Sequence, residues 1–203
     1  SSRPTPFGLI AGVSAGEFVG DPESSGGKFA QGHREAVADF RWLSPVVQSL
    51  ERRPEVLKGL VVYRNPLLRW RADEVLVFGA DRADVSQSRM AVRRTPALDF
   101  VLDKCGENDG IAVEDLCEGV AKEFHASPGG GLGLVARLVG LEILYTNLRP
   151  RLTGGDPLEE VVQSLQRAGV DADDLRGIHR SIRALNGPVI ADDTGEKYSR
   201  TYA

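Results

Sequence analysis

At 203 residues, with 41% hydrophobic and 27% charged positions, the chain is long enough for one or two domains with a real core and too apolar to be disordered. A formal net charge of −4 argues against bulk affinity for nucleic acid, no apolar run reaches bilayer length, and no signal-peptide pattern is present. Two cysteines, Cys105 and Cys117, are too few for a disulfide scaffold and read as free thiols of a reducing, cytoplasmic compartment.

The chain opens on Ser1-Ser2-Arg3-Pro4-Thr5-Pro6-Phe7-Gly8, followed by the apolar, glycine-punctuated run Leu9–Gly16. Each proline fixes φ and pushes its predecessor toward extended geometry, so Arg3 and Thr5 are expected at the start of a strand. A guanidinium with a hydroxyl beside it suits phosphate or carboxylate. Residues 5–20 read as that strand, 21–32 as a Ser/Gly/Pro-rich loop, and 33–40 as a further strand. Ser44-Pro45 is an N-cap and N1 pair for a helix ending near Arg52. Phe40, Leu43, Val47 and Leu50 have the period of one longer helix, against which Pro45 argues.

Three short strands are expected at Leu67–Trp70, Val75–Gly79 and Ser88–Val92. Thr95-Pro96 opens a helix to about Cys105, with Leu98, Val101 and Leu102 on one face; Val113–Phe124 is the next, with Leu116, Val120 and Phe124 in register. A turn at Gly129–Gly133 leads into a third helix marked by Leu134, Leu138 and Leu141, and Ile143–Tyr145 closes as a strand. Asp156-Pro157-Leu158-Glu159 has the form of a capping box before Leu158, Val161, Val162 and Leu165. A last helix carries Leu175, Ile178, Ile182 and Leu185, and the residues after Gly187 are irregular. The fold class expected is α+β, with a partial mixed or antiparallel sheet at 1–66, a winged-helix-like module of three strands and three helices at 67–148, and helices at 149–203.

A winged helix suggests DNA, but the third helix, Leu132–Leu141, offers Arg137 and little else to read base edges. An apolar helix near a sheet edge suits a different guest, an extended peptide that adds to the sheet. The candidates are the Ser88–Arg93 strand for backbone pairing, especially Met90 and Val92 with Arg93 at its end, and Leu134 and Leu138 as groove lining. The competing reading of each leucine is a plain core position, the commoner outcome for an apolar helical residue. Gly12-Val13-Ser14-Ala15-Gly16 matches the G-x-S-x-G nucleophile elbow, but Glu17–Pro22 continues as extended chain where that motif needs a helix, so the match reads as coincidence. His33, His125 and His179 are scattered, no metal-ligand spacing occurs, and no phosphate-binding fingerprint is present.

Several strings together carry more information. The opening Arg3-x-Thr5-Pro6-Phe7-Gly8, then Arg41-Trp42-Leu43, Tyr63-Arg64-Asn65-Pro66-Leu67-Leu68, Arg94-Thr95-Pro96-Ala97-Leu98 and Leu148-Arg149-Pro150-Arg151-Leu152-Thr153-Gly154 follow one another in an order and spacing that resembles the N-terminal domain of the lantibiotic dehydratases (LanB type). The resemblance implies an enzyme that moves glutamate from glutamyl-tRNA to serine and threonine of a precursor peptide and then eliminates it. It implies Arg3 and Thr5 at the glutamylation site, a winged-helix-like element holding the precursor's leader, and no cofactor beyond glutamyl-tRNA as co-substrate. Partners would be the leader and, for the full-length enzyme, glutamyl-tRNA; neither DNA nor a membrane span is expected, and a homodimer is left open. Arg64, Arg69 and Arg71 are a candidate basic patch for tRNA, with solvated surface charge as the alternative. The family's proteins are longer, so the chain is expected to be a catalytically incomplete piece. Two other readings stay open: a stand-alone leader-binding module without catalysis, and, more weakly, a winged-helix DNA-binding protein.

Overall fold

A computed structural model describes residues 33–78, 89–106, 109–127, 129–151 and 155–188. Among them are seven helices and eight short strands, an α+β architecture. The chain divides into two units, one of residues 38–176 and one built from residues 1–37 with 177–203. In the latter, β1 (His33–Arg34) pairs antiparallel with β8 (Gly187–Pro188), and the Ala36 N–H donates to Asn186 Oδ1 at 2.6 Å. The expected strand over 33–40 is therefore only two residues long.

Helix α1 (Phe40–Glu51) starts earlier than Pro45 predicts. Asp39 caps it, its Oδ1 accepting the Arg41 N–H at 2.7 Å, and Pro45 lies inside the helix. A helix-interior proline costs about 3 kcal/mol. Burial of Leu43 and Val47, 0% and 2% exposed, contributes about 1.5–3 kcal/mol each. The apolar stripe outweighs the missing backbone bond. A short helix, α2 (Pro54–Lys58), leads into β2 (Val61–Arg64).

Strand β2 is the centre of a three-stranded sheet, flanked antiparallel by β6 (Ile111–Ala112) and β7 (Leu144–Thr146). The sheet thus joins strands from both sides of residue 66. The second sheet is sequential: β3 (Arg69–Arg71), β4 (Glu74–Phe78) and β5 (Arg89–Arg93), all antiparallel.

Between the sheets' strands run α3 (Pro96–Lys104), α4 (Val113–Phe124) and α5 (Gly130–Gly140). Thr95 caps α3, its Oγ1 accepting the Leu98 N–H at 3.2 Å. Helix α5 begins inside the glycine run read as a turn. Gly131 is the reason: a Cβ there would stand 3.0 Å from both Cα and the carbonyl oxygen of Cys117, so its missing side chain lets α5 lie against α4. Asp156 caps α6 (Pro157–Arg167) by accepting the Leu158 and Glu159 N–H groups, while Glu159 accepts from the Gln163 amide and Glu160 holds Arg151. Helix α7 (Asp173–Arg183) follows. Leucines 43, 57, 60, 102, 116, 144, 148, 158 and 165 fill the core of the larger unit.

Candidate functional site

The outer border of β5 is a sheet edge without a strand partner among the described residues. In the register of the small sheet, Glu74 faces Arg93, Val75 faces Val92, Leu76 faces Ala91 and Val77 faces Met90. Just beyond the strand, the Arg94 N–H donates to the Asp73 carbonyl at 2.7 Å. Antiparallel ladders alternate between bonded and non-bonded pairs, so Val75–Val92 and Val77–Met90 are bonded pairs like Asp73–Arg94. The backbone groups of Ala91 and Arg93 therefore point away from β4. Among the described residues β5 pairs with β4 alone. An edge of this kind is a template for another strand.

This corrects the expectation that Met90 and Val92 supply the backbone pairing. Their N–H and C=O groups are spent on β4, whereas those of Ala91 and Arg93 point away from it and meet no strand among the described residues. What Met90 and Val92 offer is side chain: both are half-buried, on the same face as the buried Val75 and Val77. Trp70 shares that face by register with Val75, stays 51% exposed, and lies under the Arg94 guanidinium at 5.1 Å, which Asp99 holds at 2.8 Å. The opposite face carries Arg69, Arg71 and Arg93, all exposed, with Glu74, Leu76 and Ala91.

The two leucines expected beside this strand separate. Leu138 is 4% exposed and belongs to the core, so it lines no open groove. It sits on the stripe with Gly131, Val135 and Val139 that α5 turns inward. Leu134 is half-buried, and Gly133, Ala136, Arg137 and Gly140 are exposed, so α5 is not sealed in. Helix α5 packs on α4, β7 and α2. Arg3 and Thr5, and the G-x-S-x-G match, lie outside the described residues.

A second feature gathers the sequence strings themselves. A cleft of about 730 Å³ is lined by Ser44, Gln48, Tyr63, Arg64, Arg149 and Arg151 among others. It is built where the Tyr63–Pro66 string meets the Leu148–Arg151 string. Asn65 ties the first string to the turn that precedes β7: its N–H donates to the Ile143 carbonyl at 3.1 Å, its Nδ2 to the Glu142 carbonyl at 2.7 Å, and its Oδ1 accepts the Leu67 N–H at 2.8 Å. Arg149 is a strut as well as a lining residue. Its Nε and Nη2 donate to the two carboxylate oxygens of Glu51 at 3.0 and 3.1 Å, and its guanidinium stacks 4.8 Å from the Tyr145 ring. Burial works against that charge, but the bonds to Glu51, helped by Glu142, more than offset it and hold Arg149 above its ordinary range. Glu51, 4% exposed, also accepts from Thr146 Oγ1 at 2.8 Å. Burial pushes the Tyr145 phenol up, with Glu142 adding and Arg149 opposing.

Among the described residues no cluster of three or more His, Cys, Asp or Glu side chains is placed to hold a metal ion, and no helix is long and apolar enough to cross a membrane. Cys105 is not in the helix but caps it, fully buried, and burial pushes its thiol up to about 11 against the influence of Arg64. Cys117 is half-buried, and both cysteines are free.

Comparison with known proteins meets this geometry from the other side. The chain is 25% identical over 167 residues to the subtilin biosynthesis protein SpaB of Bacillus subtilis, covering 82% of this chain and 16% of that protein. It is 23% identical over 175 residues to the epidermin biosynthesis protein EpiB of Staphylococcus epidermidis, covering 81% and 17%. Among solved structures it resembles the tRNA dependent lantibiotic dehydratase MibB from Microbispora sp. 107891, with a TM-score of 0.66, 26% identity, and coverage of 76% of this chain and 16% of that one. The chain thus spans about one sixth of the length of these relatives. Residues 1–202 match the family model described as "Lantibiotic dehydratase, N terminus", and the chain belongs to that family.

Proposed function

We propose that the protein dehydrates serine and threonine in a ribosomally made precursor peptide, using glutamyl-tRNA, and that this segment holds the precursor's leader along β5. The chemistry has a clear logic. Hydroxide is a poor leaving group; once the hydroxyl oxygen has taken the glutamyl group from tRNA, the glutamate carboxylate departs as the α-proton is removed. Family membership and the likeness to MibB, a tRNA dependent lantibiotic dehydratase, support a tRNA-borne donor. Arg3 and Thr5 are the proposed glutamylation-site residues of this segment.

The observation that carries the leader-binding half is the outer border of β5, with the Ala91 and Arg93 backbone turned outward beside half-buried Met90 and Val92. A peptide strand laid there gains main-chain bonds from the first pair and apolar contact from the second. Leu134 is retained as a flanking contact.

Ala91→Pro tests it. Proline removes the outward N–H and none of the bonds to β4, because residue 91 makes none there. Leader binding by the full-length protein should fall at least about tenfold, the loss of one or two main-chain bonds, with the fold intact. Unchanged binding would remove β5 from the site. For the catalytic half, Arg3→Ala should abolish glutamylation of the precursor while leaving leader binding in place; normal glutamylation would release Arg3 from its role.

A further inference from the structure

The cleft of about 730 Å³ has an aromatic wall. Tyr63 on β2 and Tyr145 on β7 are direct cross-strand partners, so their side chains stand on one face of the sheet, and both line the cleft. Gly110 leaves room for the first ring: a Cβ there would fall 2.6 Å from two Tyr63 ring atoms. The second ring carries the Arg149 guanidinium at 4.8 Å, and Phe40 adds a third ring to the lining. The lining also offers unused polar groups. Asn147 spends its Oδ1 on the Val61 N–H at 3.0 Å, while its Nδ2, Tyr63 Oη and Ser44 Oγ have no partner among the described residues. Arg149 Nη1 stands 3.7 Å from Glu142, beyond hydrogen-bond reach.

We infer that the cleft seats the unpaired end of an RNA strand, its bases stacked on Tyr63 and on the Tyr145–Arg149 pair, with Asn147, Ser44 and Arg64 meeting base edges and phosphate. The inference rests on the proposed tRNA donor and adds to it a place of contact on this segment. It also divides the basic patch expected from the sequence, because Arg64 lines the cleft whereas Arg69 and Arg71 lie on the small sheet.

Three properties select this guest. Paired aromatic side chains on one sheet face, with an arginine stacked beside them, suit unstacked bases, whose π faces are hidden in a duplex. The volume is that of a small-ligand site and holds roughly one or two nucleotides. The charge is nearly balanced: Glu51 and Glu160 hold Arg149 and Arg151, and Glu142 is the one acid among the described lining residues. An acidic peptide would find little net attraction there and no use for three rings. Stacking and hydrogen bonding to a base need no net field, so binding should depend only weakly on salt.

The test uses the full-length protein and a fluorescently labelled RNA trinucleotide, cytidine-cytidine-adenosine, the sequence that ends every tRNA, read by anisotropy. Two further probes are an abasic strand with the same phosphates and a short oligoglutamate peptide as competitor. The abasic strand should bind at least about tenfold more weakly, the loss of one or two stacked bases. Tyr63→Leu keeps apolar bulk and should weaken the trinucleotide about tenfold while leaving the abasic strand unchanged; Tyr63→Phe, which keeps the ring, should stay within about threefold of the parent. The peptide should not compete. Log affinity should fall against log salt with a slope no steeper than about −1.5, that of two phosphates on a single strand. No binding of the trinucleotide, equal binding of the abasic strand, displacement by the peptide or a much steeper slope would overturn the cleft as an RNA seat. These comparisons use the parent protein and stand even if Tyr63→Leu disturbs the sheet. A folded Tyr63→Leu protein that binds as the parent does would overturn it too. Glutamylation of the precursor from glutamyl-tRNA, measured alongside, separates the two readings: a parent that glutamylates while its cleft fails any of these tests keeps the donor and loses the seat.

Discussion

Replacing Glu51 by alanine removes the acceptor of three side-chain bonds, from Thr146 Oγ1 at 2.8 Å and from Arg149 Nε and Nη2 at 3.0 and 3.1 Å. The carboxylate is 4% exposed and the arginine side chain 25%, so the variant strands a partly buried cation and a buried hydroxyl. Breaking a buried pair from one side costs about 3–5 kcal/mol. The quarter exposure of Arg149, and Glu142 at 3.7 Å from its Nη1, place the expected loss near the lower end, about 3 kcal/mol. For a chain of this size that corresponds to a fall in Tm of roughly 6–12 °C, read from thermal unfolding of the purified 203-residue chain. The double variant E51L/R149M should recover most of the loss, ending within about 1 kcal/mol of the parent, because apolar replacement of both partners strands neither. A cost below about 1 kcal/mol for Glu51→Ala, or a double variant no better than the single one, would refute the view that this pair braces the junction of α1, β7 and the Leu148–Arg151 string.

Gly131→Ala should cost about 1–3 kcal/mol in urea denaturation, because its Cβ would meet the Cys117 backbone at 3.0 Å and force α5 off α4; a neutral result would mean that the helices move apart freely. Asp156→Ala should lower stability by about 1 kcal/mol through loss of the α6 cap, and Asp156→Asn should restore most of it. The Cys105 thiol should resist alkylation at neutral pH until the chain unfolds, since it is buried and its pKa stands at about 11. Because that value is raised from about 9 in the unfolded chain, folding keeps the full benefit below pH 9 and loses roughly 2–3 kcal/mol as pH climbs to about 11. Cys105→Ala should lack that part of the alkaline decline in Tm, and an identical pH profile would contradict it.

The helices of the middle section were legible because period, caps and breakers agreed. Thr95-Pro96 and Asp156-Pro157 cap where their side chains predict, and Leu98, Val101, Leu102, Leu116 and Val120 are buried as their spacing requires. Pro45 misled, since a local backbone penalty is visible in sequence while the burial of Leu43 and Val47 that outweighs it depends on neighbours far along the chain. The glycine run at 129–133 misled for the same reason: what makes Gly131 helical is the Cys117 backbone across from it. Alternation along β5 could separate its two faces, but which set of amides faces outward depends on the pairing to β4, and no single strand's sequence contains that. The roles of Glu51 and Asn65 were equally invisible, because each gathers partners tens of residues away. Leu138 followed the common fate of an apolar helical residue and joined the core.

Residue-level hydrogen exchange of the full-length protein, with and without a peptide representing the precursor's leader, bears most directly on the account. The Met90 and Val92 amides, already bonded to β4, should exchange slowly in both states, while those of Ala91 and Arg93 should slow sharply when the peptide is added. Peptide binding that leaves the Ala91 and Arg93 amides unprotected would contradict strand addition at β5.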